Sequence, residues 1–404
     1  MAFRESLSEI GGLIALKRAL ALKKALVKSL EKELESWRQR KARGDGHAKR
    51  PPRPCGLTVH TCVGCPFSCL YCYIEELGFP RGRAHPYALS GSEWTYAILM
   101  NPRFLPGVWG TYLAFGSVCE PLHGDCTGKT LEYLHEVGEK LGNLCQLSTK
   151  SSVSDEVVKN LARLKGVQVN VLVTVITLRH HRALEPSAPS PEDRFDTLRK
   201  LRREGVPAFL FLRPLIPGLV EDELEDLMNE AKRAGAMGVV IGGLRVSERI
   251  LRRLKTMGLN THIIEEKLPK EVGGRRLIDV PSSNLKKKAI EIAEEVGLMP
   301  LRSACCATTF SYMLKTGKRL PCAGLCFTSQ LCYEKCPVKC KEHLPPVDKE
   351  DVKEALNLLL GKRPDKIEIE EFRIVAHLKA DKVNKTVETL FNTAFRRRLY
   401  LKLH

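Results

Sequence analysis

Between residues 56 and 282, short apolar runs alternate with charged amphipathic segments, and this alternation constrains the fold more than any other feature of the 404-residue chain. The runs are "GLTVHT" (56–61), "GTYLAFGS" (110–117), "LCQLSTK" (144–150), "VQVNVLVTVITL" (167–178), "PAFLFLRPLI" (207–216) and "GVVIGGLRV" (238–246), with "THIIEEKL" (261–268) a weaker candidate. Near-continuous apolar runs suit strands buried on both faces of a parallel sheet. Between them lie "GKTLEYLHEVGEKLG", "SDEVVKNLARLKG", "SPEDRFDTLRKLRREG" and "EDELEDLMNEAKRAGA", several of which open on Ser, Asp or Glu and close on Gly, as capped helices do. Repeated βα units of this kind wind into a right-handed parallel barrel or open sheet, and such folds work at the C-terminal ends of their strands. The expected fold class is therefore α/β, a partial (β/α)6 parallel barrel over residues 55–282.

Three further segments flank it. Residues 5–41 read as one long helix, with Leu13, Leu16, Leu20, Val27, Leu30, Leu34 and Trp37 at steps of three, four and seven. "KARGDGHAKRPPRP" (41–54) breaks that pattern with Gly and Pro and reads as a linker, so that residues 1–54 form a basic helix and linker. Residues 283–345 read as a cysteine-rich module and 346–404 as a basic α+β tail. In the tail Asp348 caps a helix closed by Gly361, and "KIEIEEFRIVAHL" alternates like a strand. The ending "FNTAFRRRLYLKLH" reads as a solvated helix end or, alternatively, a phosphate contact.

A 43% hydrophobic composition supplies a core, and no run of 18 uncharged apolar residues predicts a membrane span. The early lysines Lys17, Lys23 and Lys24 do not fit a secretory signal, so the chain reads as cytoplasmic, where fifteen cysteines point to metal or redox chemistry. The abundance of Lys, Arg and Glu also fits a thermophile. The formal charge of +18 concentrates at the two ends, with 13 Lys/Arg against 6 Asp/Glu in residues 1–50 and 20 against 12 in residues 301–404. That balance reads either as a soluble basic surface or as contact with DNA, RNA or another polyanion.

The loop after the first run holds Cys65, Cys69 and Cys72 in "VGCPFSCLYCY". Four thiolates normally hold a 4Fe–4S cube, so three leave one iron open, and an open position is what separates a reactive metal site from a structural one. The alternative is a zinc site completed by Cys62 or His60.

The spacing Cys65-x3-Cys69-x2-Cys72, with Tyr71 before the last cysteine and an N-terminal place in a βα fold, resembles the radical S-adenosylmethionine (SAM) superfamily. The order of "GCPFSCLYCY", "FGSVCEP", "LSTKSSVSD", "LVTVITLRHHRALEPSAPSPEDRFDTLRKLRREGV" and "LRPLIPG" across residues 55–250 resembles the spore photoproduct lyase and DNA repair photolyase group within it. The resemblance implies a 4Fe–4S cluster on Cys65, Cys69 and Cys72, whose open iron chelates SAM. Reductive cleavage then gives a 5′-deoxyadenosyl radical that abstracts hydrogen from a substrate. It implies that Tyr71 lies near the adenine and Tyr73 beside the cluster loop, and that Gly116 and Ser117 meet the SAM amino group. It also implies that Lys150 pairs with the SAM carboxylate, that Thr174 lies near the cofactor, and that Glu120 replaces a family aspartate. Ser117 takes the place of the family's hydrogen-donating cysteine, which leaves thymine-dimer repair in doubt and Cys119 as the alternative catalytic donor. A small buried cysteine is the plainer reading of Cys119. A reductant such as ferredoxin or flavodoxin is implied, and the reaction falls among lyases or transferases.

The C-terminal cysteines run Cys306-x10-Gly317-x4-Cys322-x3-Cys326-x5-Cys332-x3-Cys336-x3-Cys340, with Cys305 adjacent. "FSYMLKTGKRLPC" reads as a hairpin, and the arrangement partly resembles the opening of SPASM and twitch domains, which hold auxiliary 4Fe–4S clusters. The alternative is structural Cys₄ zinc. Cys306, Cys322, Cys336 and Cys340 are the first choices as ligands, while Cys55, Cys62, Cys126 and Cys145 read as structural. The expected function is a radical SAM enzyme acting on a nucleic acid. The alternatives are a maturase acting on a protein, peptide or small metabolite, and a non-catalytic zinc-stabilised nucleic-acid-binding protein.

Overall fold

The computed structural model describes residues 11–53, 55–269, 273–322, 332 and 334–404. Seven parallel strands run in sequence order across one sheet: β1 (Leu57–Val59), β2 (Leu113–Phe115), β3 (Leu144–Thr149), β4 (Gln168–Thr174), β5 (Ala208–Leu215), β6 (Val239–Gly243) and β7 (Pro300–Leu301). The pairing Leu57↔Leu113↔Cys145↔Val169 holds one half in register, and Leu210↔Val239↔Pro300 holds the other. Strict alternation then decides the two faces. Leu57, Leu113, Cys145, Val171, Val173, Leu210 and Val239 belong to one core with the outer helices. Tyr112, Leu144, Leu172, Phe209, Val240 and Leu301 belong to a second core on the other face. The helix Ala304–Thr316 packs into that second core, with Phe310 and Phe209 at 6.2 Å and Tyr112 Oη and Thr309 Oγ1 at 3.0 Å.

The partial parallel barrel is therefore the one the apolar runs imply, with two extensions. Ser283–Val296 and β7 carry it past residue 282, because Leu285, Ala289 and Ala293 bury the same outer face as the preceding helices. Two segments take another structure than expected. "THIIEEKL" supplies a short helix, His262–Glu265, started by the Asn260 side chain accepting from the His262 N–H at 3.0 Å. "FSYMLKTGKRLPC" is the end of helix Ala304–Thr316 together with residues 317–322, which form no strand. Its Thr-Gly pair is a helix stop, with Gly317 at φ 71, and its Phe310 and Tyr312 are needed on the sheet.

The N-terminal helix is shorter than its periodicity suggests. Leu13–Glu33 ends where Leu34 and Glu35 turn extended, and a second helix, Ser36–Gly44, leaves Trp37 half-exposed. Leu13 and Leu16 pack on the tail, whereas Leu30 and Leu34 pack on the barrel core, so this helix bridges the two. The expected linker is packed structure. His47 is fully buried, held by Asp45 Oδ1 at 2.7 Å on Nδ1, while its Nε2 accepts from the His60 N–H at 3.0 Å. In the tail, Asp348 accepts from Asp351 N–H at 2.8 Å to start Lys349–Leu360, which Gly361 ends. Three strands complete it, β8 (Lys366–Ile369), β9 (Arg373–Leu378) and β10 (Arg398–Leu403), with helix Lys385–Phe395 between the last two. The basic ending is not a solvated helix end. Arg396 is fully buried, its guanidinium 5.5 Å from the ring centroids of Trp109 and of Tyr112, and Arg397 donates to the Pro345 carbonyl at 2.6 Å.

Candidate active site

β1 ends at Val59, and the loop that leaves its C-terminal end carries Cys65, Cys69 and Cys72. Its path is set locally. Gly64 has φ 89, and a Cβ there would lie 2.4 Å from the Arg83 carbonyl oxygen, so only glycine fits. Gly82 N–H donates to the Cys65 carbonyl at 3.0 Å and Cys72 N–H to the Cys69 carbonyl at 3.1 Å. Two arginines add to this: Arg81 also donates to the Cys69 carbonyl, and Arg253 to that of Cys72 at 2.8 Å. Glu75 positions both, 3.1 Å from Arg81 and 2.7 Å from Arg253.

The loop also rests on the segment after β4. Leu70 N–H donates to the Leu184 carbonyl at 2.9 Å, and the Tyr71 hydroxyl donates to Glu185 Oε1. Glu185 is 1% exposed and pairs at 2.5 Å with Arg194, which is fully buried and donates to the Thr174 carbonyl at 3.1 Å. Lys150 Nζ, at the end of β3, lies 4.0 Å from Glu185 and 5.5 Å from the Tyr71 ring centroid. Tyr71 and Lys150 thus meet at Glu185, and the Thr174 carbonyl is tied to the group through Arg194. Sequence reasoning missed Glu185, Arg194, Arg81 and Arg253. The one signal for Glu185 was an acid inside the otherwise uncharged "ALEPSAPS".

Electrostatics follow from burial. Desolvation pushes the Cys65 and Cys69 thiols up to about 12, and for Cys69 the Lys150 charge works against it. The Tyr71 hydroxyl lies well above its ordinary value, first through burial and then through the Glu185 charge. Burial alone would lower Lys150, but Cys69 and Glu185 outweigh it and hold its ammonium above the ordinary value. Glu120 is also buried, and burial raises its carboxyl. Its oxygens accept from Thr149 Oγ1, from Lys150 N–H at 2.8 Å and from Leu122 N–H at 3.4 Å, so it ties together the ends of β2 and β3. Gly116 turns the chain after β2 at φ 81, and a Cβ there would lie 2.1 Å from the Ser148 oxygen. Ser117 and Tyr73 are half-buried beside it and beside the loop.

The donor set fits a 4Fe–4S cluster with SAM. Three thiols sit on one anchored loop amid Arg81, Lys150, Arg194 and Arg253, cations that offset the negative charge of thiolates. Among the described residues, Arg194 Nη2 is a buried donor without a hydrogen-bond partner, beside Glu185 and Thr174. A pocket of about 450 Å³ opens next to them, lined by Phe67, Leu122, His123, Ser151, Ser152 and Pro186 among others, with the Phe67 and His123 rings edge-to-face at 5.6 Å. Cys119 does not face this pocket. It is buried against Cys62 and Cys126, and Cys62 donates to the Glu120 carbonyl at 3.4 Å.

The C-terminal thiols collect elsewhere. Cys306, Cys322, Cys332, Cys336 and Cys340 line one small apolar pocket with Pro300, Leu301 and Thr309. Cys322 N–H donates to Cys340 Sγ at 3.4 Å, and Cys326 lies outside the described residues. Among the described residues, no three Cys, His, Asp or Glu side chains stand closely enough round one point to hold a single ion as they are. Nor is any helix among them long and apolar enough to cross a membrane.

Residues 59–231 match the radical SAM superfamily model. The uncharacterised protein Rv2578c of Mycobacterium tuberculosis is 24% identical over 204 residues, 48% of this chain and 60% of that protein. The uncharacterised protein MJ0683 of Methanocaldococcus jannaschii is 21% identical over 198 residues, 46% and 71% respectively. The chain thus spans less than two thirds of the mycobacterial relative. Among solved structures, a spore photoproduct lyase variant with bound AdoMet and dinucleoside spore photoproduct has a TM-score of 0.54 at 15% identity, covering 66% of this chain and 84% of that one. A second spore photoproduct lyase variant, with the same dinucleoside, has a TM-score of 0.52 at 14% identity, covering 62% and 77%. These likenesses are of fold.

Proposed function

Because the chain carries a radical SAM domain over residues 59–231, we propose that it is a radical SAM enzyme with Cys65, Cys69 and Cys72 as cluster ligands and a nucleic acid as substrate. A 4Fe–4S cluster with SAM, once bound, supplies one-electron cleavage to a 5′-deoxyadenosyl radical that removes hydrogen from the substrate. The observation that carries the reading is the triad loop anchored on the Tyr71–Glu185–Lys150–Arg194 group, at strand C-terminal ends, next to a 450 Å³ pocket. In this reading Lys150, charged and close to Cys69, pairs with the SAM carboxylate, a charge-assisted contact. Glu185 holds that lysine and Tyr71 in place. Thr174, Gly116, Ser117 and Tyr73 flank the cofactor, and Glu120 positions the backbone of Lys150 rather than touching SAM.

The nucleic-acid substrate rests on the charge of +18 and on the Phe67–His123 pair in the pocket wall, on which a base can stack. It rests also on the fold shared with spore photoproduct lyase bound to a dinucleoside photoproduct. Cys119 has no part as hydrogen donor, since its thiol packs against Cys62 and Cys126. The C-terminal thiols hold an auxiliary iron–sulfur cluster or zinc, a low-potential reductant of the ferredoxin or flavodoxin type supplies the electron, and the location is cytoplasmic, which suits so many reduced thiols.

Anaerobic assay of 5′-deoxyadenosine formation tests the first part. The wild type should produce it with dithionite, and the Cys65/Cys69/Cys72 triple alanine variant should not; product from the triple variant would sink the assignment. Filter binding of oligonucleotides tests the second. A polyanion binder should lose about 10³-fold or more in affinity between 50 and 200 mM salt, and a flat profile excludes nucleic acid.

A further inference from the structure

One cysteine outside both motifs lies among the C-terminal thiols. Cys55 stands two residues before β1, at the N-terminal end of the strand whose other end feeds the triad loop. In the fold it packs against the core on the inner face of the sheet, to which Cys305, Cys322, Cys336 and Cys340 belong. Cys305 and Cys322 are buried in that one core, and Cys306 packs against it beside Cys55. Ser303 Oγ lies 3.0 Å from Cys305 Sγ and 3.2 Å from Cys306 Sγ, a polar group supporting two of the sulfurs. Cys55 is held from behind as well, since Gln146 Nε2 donates to its carbonyl at 2.8 Å. The charge of Arg213 also acts on its thiol.

We propose that Cys55 is a ligand of a metal–thiolate centre shared with Cys305, Cys306 and Cys322, a clasp that joins the first strand of the barrel to the last. The inference rests on the reading that the C-terminal thiols bind metal. Its physical sense lies in the sheet order. β1 and β7 are the two edges of an open sheet, and open edges leave backbone groups unpaired. Cys55 precedes β1 and Cys305 follows β7, so a shared metal ties together points separated by roughly 250 residues of chain, the long closure that restricts the unfolded chain most. Four thiols in and against one core are the donor set of tetrahedral zinc and of iron–sulfur clusters alike. The thiols give up protons as metal enters, and the sulfurs draw together by side-chain rotation from the spacing seen here. Gln146 and Ser303 then act as the outer partners that orient ligands. The centre lies at the opposite end of β1 from the triad, so the two sites load independently.

The test is iron, sulfide and zinc per chain in the full-length protein purified anaerobically, compared for wild type, Cys55→Ser, Cys306→Ala and, as control, Cys145→Ala. Cys145 is buried with its thiol on the Asn143 carbonyl and outside both thiol groups. Cys55→Ser and Cys306→Ala should each lose the same complement, either about four irons or one zinc. The triad cluster should keep its visible absorption in both, and Cys145→Ala should match wild type. Full metal in Cys55→Ser with loss in Cys306→Ala overturns the role of Cys55 and leaves the metal-binding module standing. Full metal in both overturns the module reading and the clasp with it. Should Cys55→Ser fail to fold, wild-type protein is alkylated before and after chelator treatment. Cys55 should become reactive together with Cys306 after chelation, and a Cys55 that stays unreactive while Cys306 is labelled overturns the proposal.

Discussion

The two cysteine-rich regions are assembled on opposite plans. The triad comes from eight consecutive residues, Cys65 to Cys72, on a loop tied by its own backbone hydrogen bonds. Its surroundings are charged and buried, with Glu185 and Arg194 at the centre. The C-terminal set has Cys306, Cys322, Cys332, Cys336 and Cys340 lining an apolar pocket, with Cys305 and Cys55 in or against the same core, and the charge of Arg396 acts on Cys322, Cys340 and Cys305. The difference shows what each site depends on. A local loop needs an anchor from the rest of the fold to hold its orientation, whereas a distributed set needs the fold simply to exist.

The contrast between the two sites breaks most readily at Glu185. Glu185→Gln leaves Arg194 buried and without its counter-charge, which should destabilise the protein by about 3–5 kcal/mol in urea denaturation. The double variant Glu185→Gln/Arg194→Met should recover part of that loss. Both should lose iron at the triad while the C-terminal metal stays; equal loss at the two sites would erase the distinction between them. Gly116→Ala places a methyl 2.1 Å from the Ser148 oxygen in a left-handed turn. It should lower stability by about 1–3 kcal/mol and weaken SAM binding measured by equilibrium dialysis, again sparing the C-terminal metal.

The smallest effect is a pH dependence on the triad side. His60 sits just before the loop, its ring 4.9 Å from that of Phe79. Burial first, then the Arg50 and His47 charges, holds its imidazole down to about 3. The folded protein keeps it neutral, while the unfolded chain takes up a proton below its ordinary value near 6.5. Stability is therefore complete above about 6.5 and declines as pH falls toward 3. The difference in unfolding free energy between wild type and His60→Gln should shrink from pH 7 to pH 5. A difference that stays constant or grows would show that His60 is protonated in the folded state.

The strand order, most helices and the identity of the triad were legible in residues taken a few at a time. Apolar continuity marks strands buried on both faces, and the triad thiols are neighbours in sequence, so their spacing survives folding unchanged. Gly317 shows the limit of local reading, since a Thr-Gly pair serves a helix stop as well as a hairpin, and only the need to bury Phe310 and Tyr312 against the sheet decides between them. The packed path through His47 and the burial of Arg396 are of the same kind, polar residues whose partners lie far along the chain. By itself the sequence determined the parallel barrel and the loop of three closely spaced thiols, because both rest on local periodicity and spacing. Only the tertiary structure decided that Glu185 and Arg194 anchor the loop and that Cys55 joins the core that holds Cys305. Contacts of that range depend on which strands become the edges of the sheet, and no local pattern encodes that.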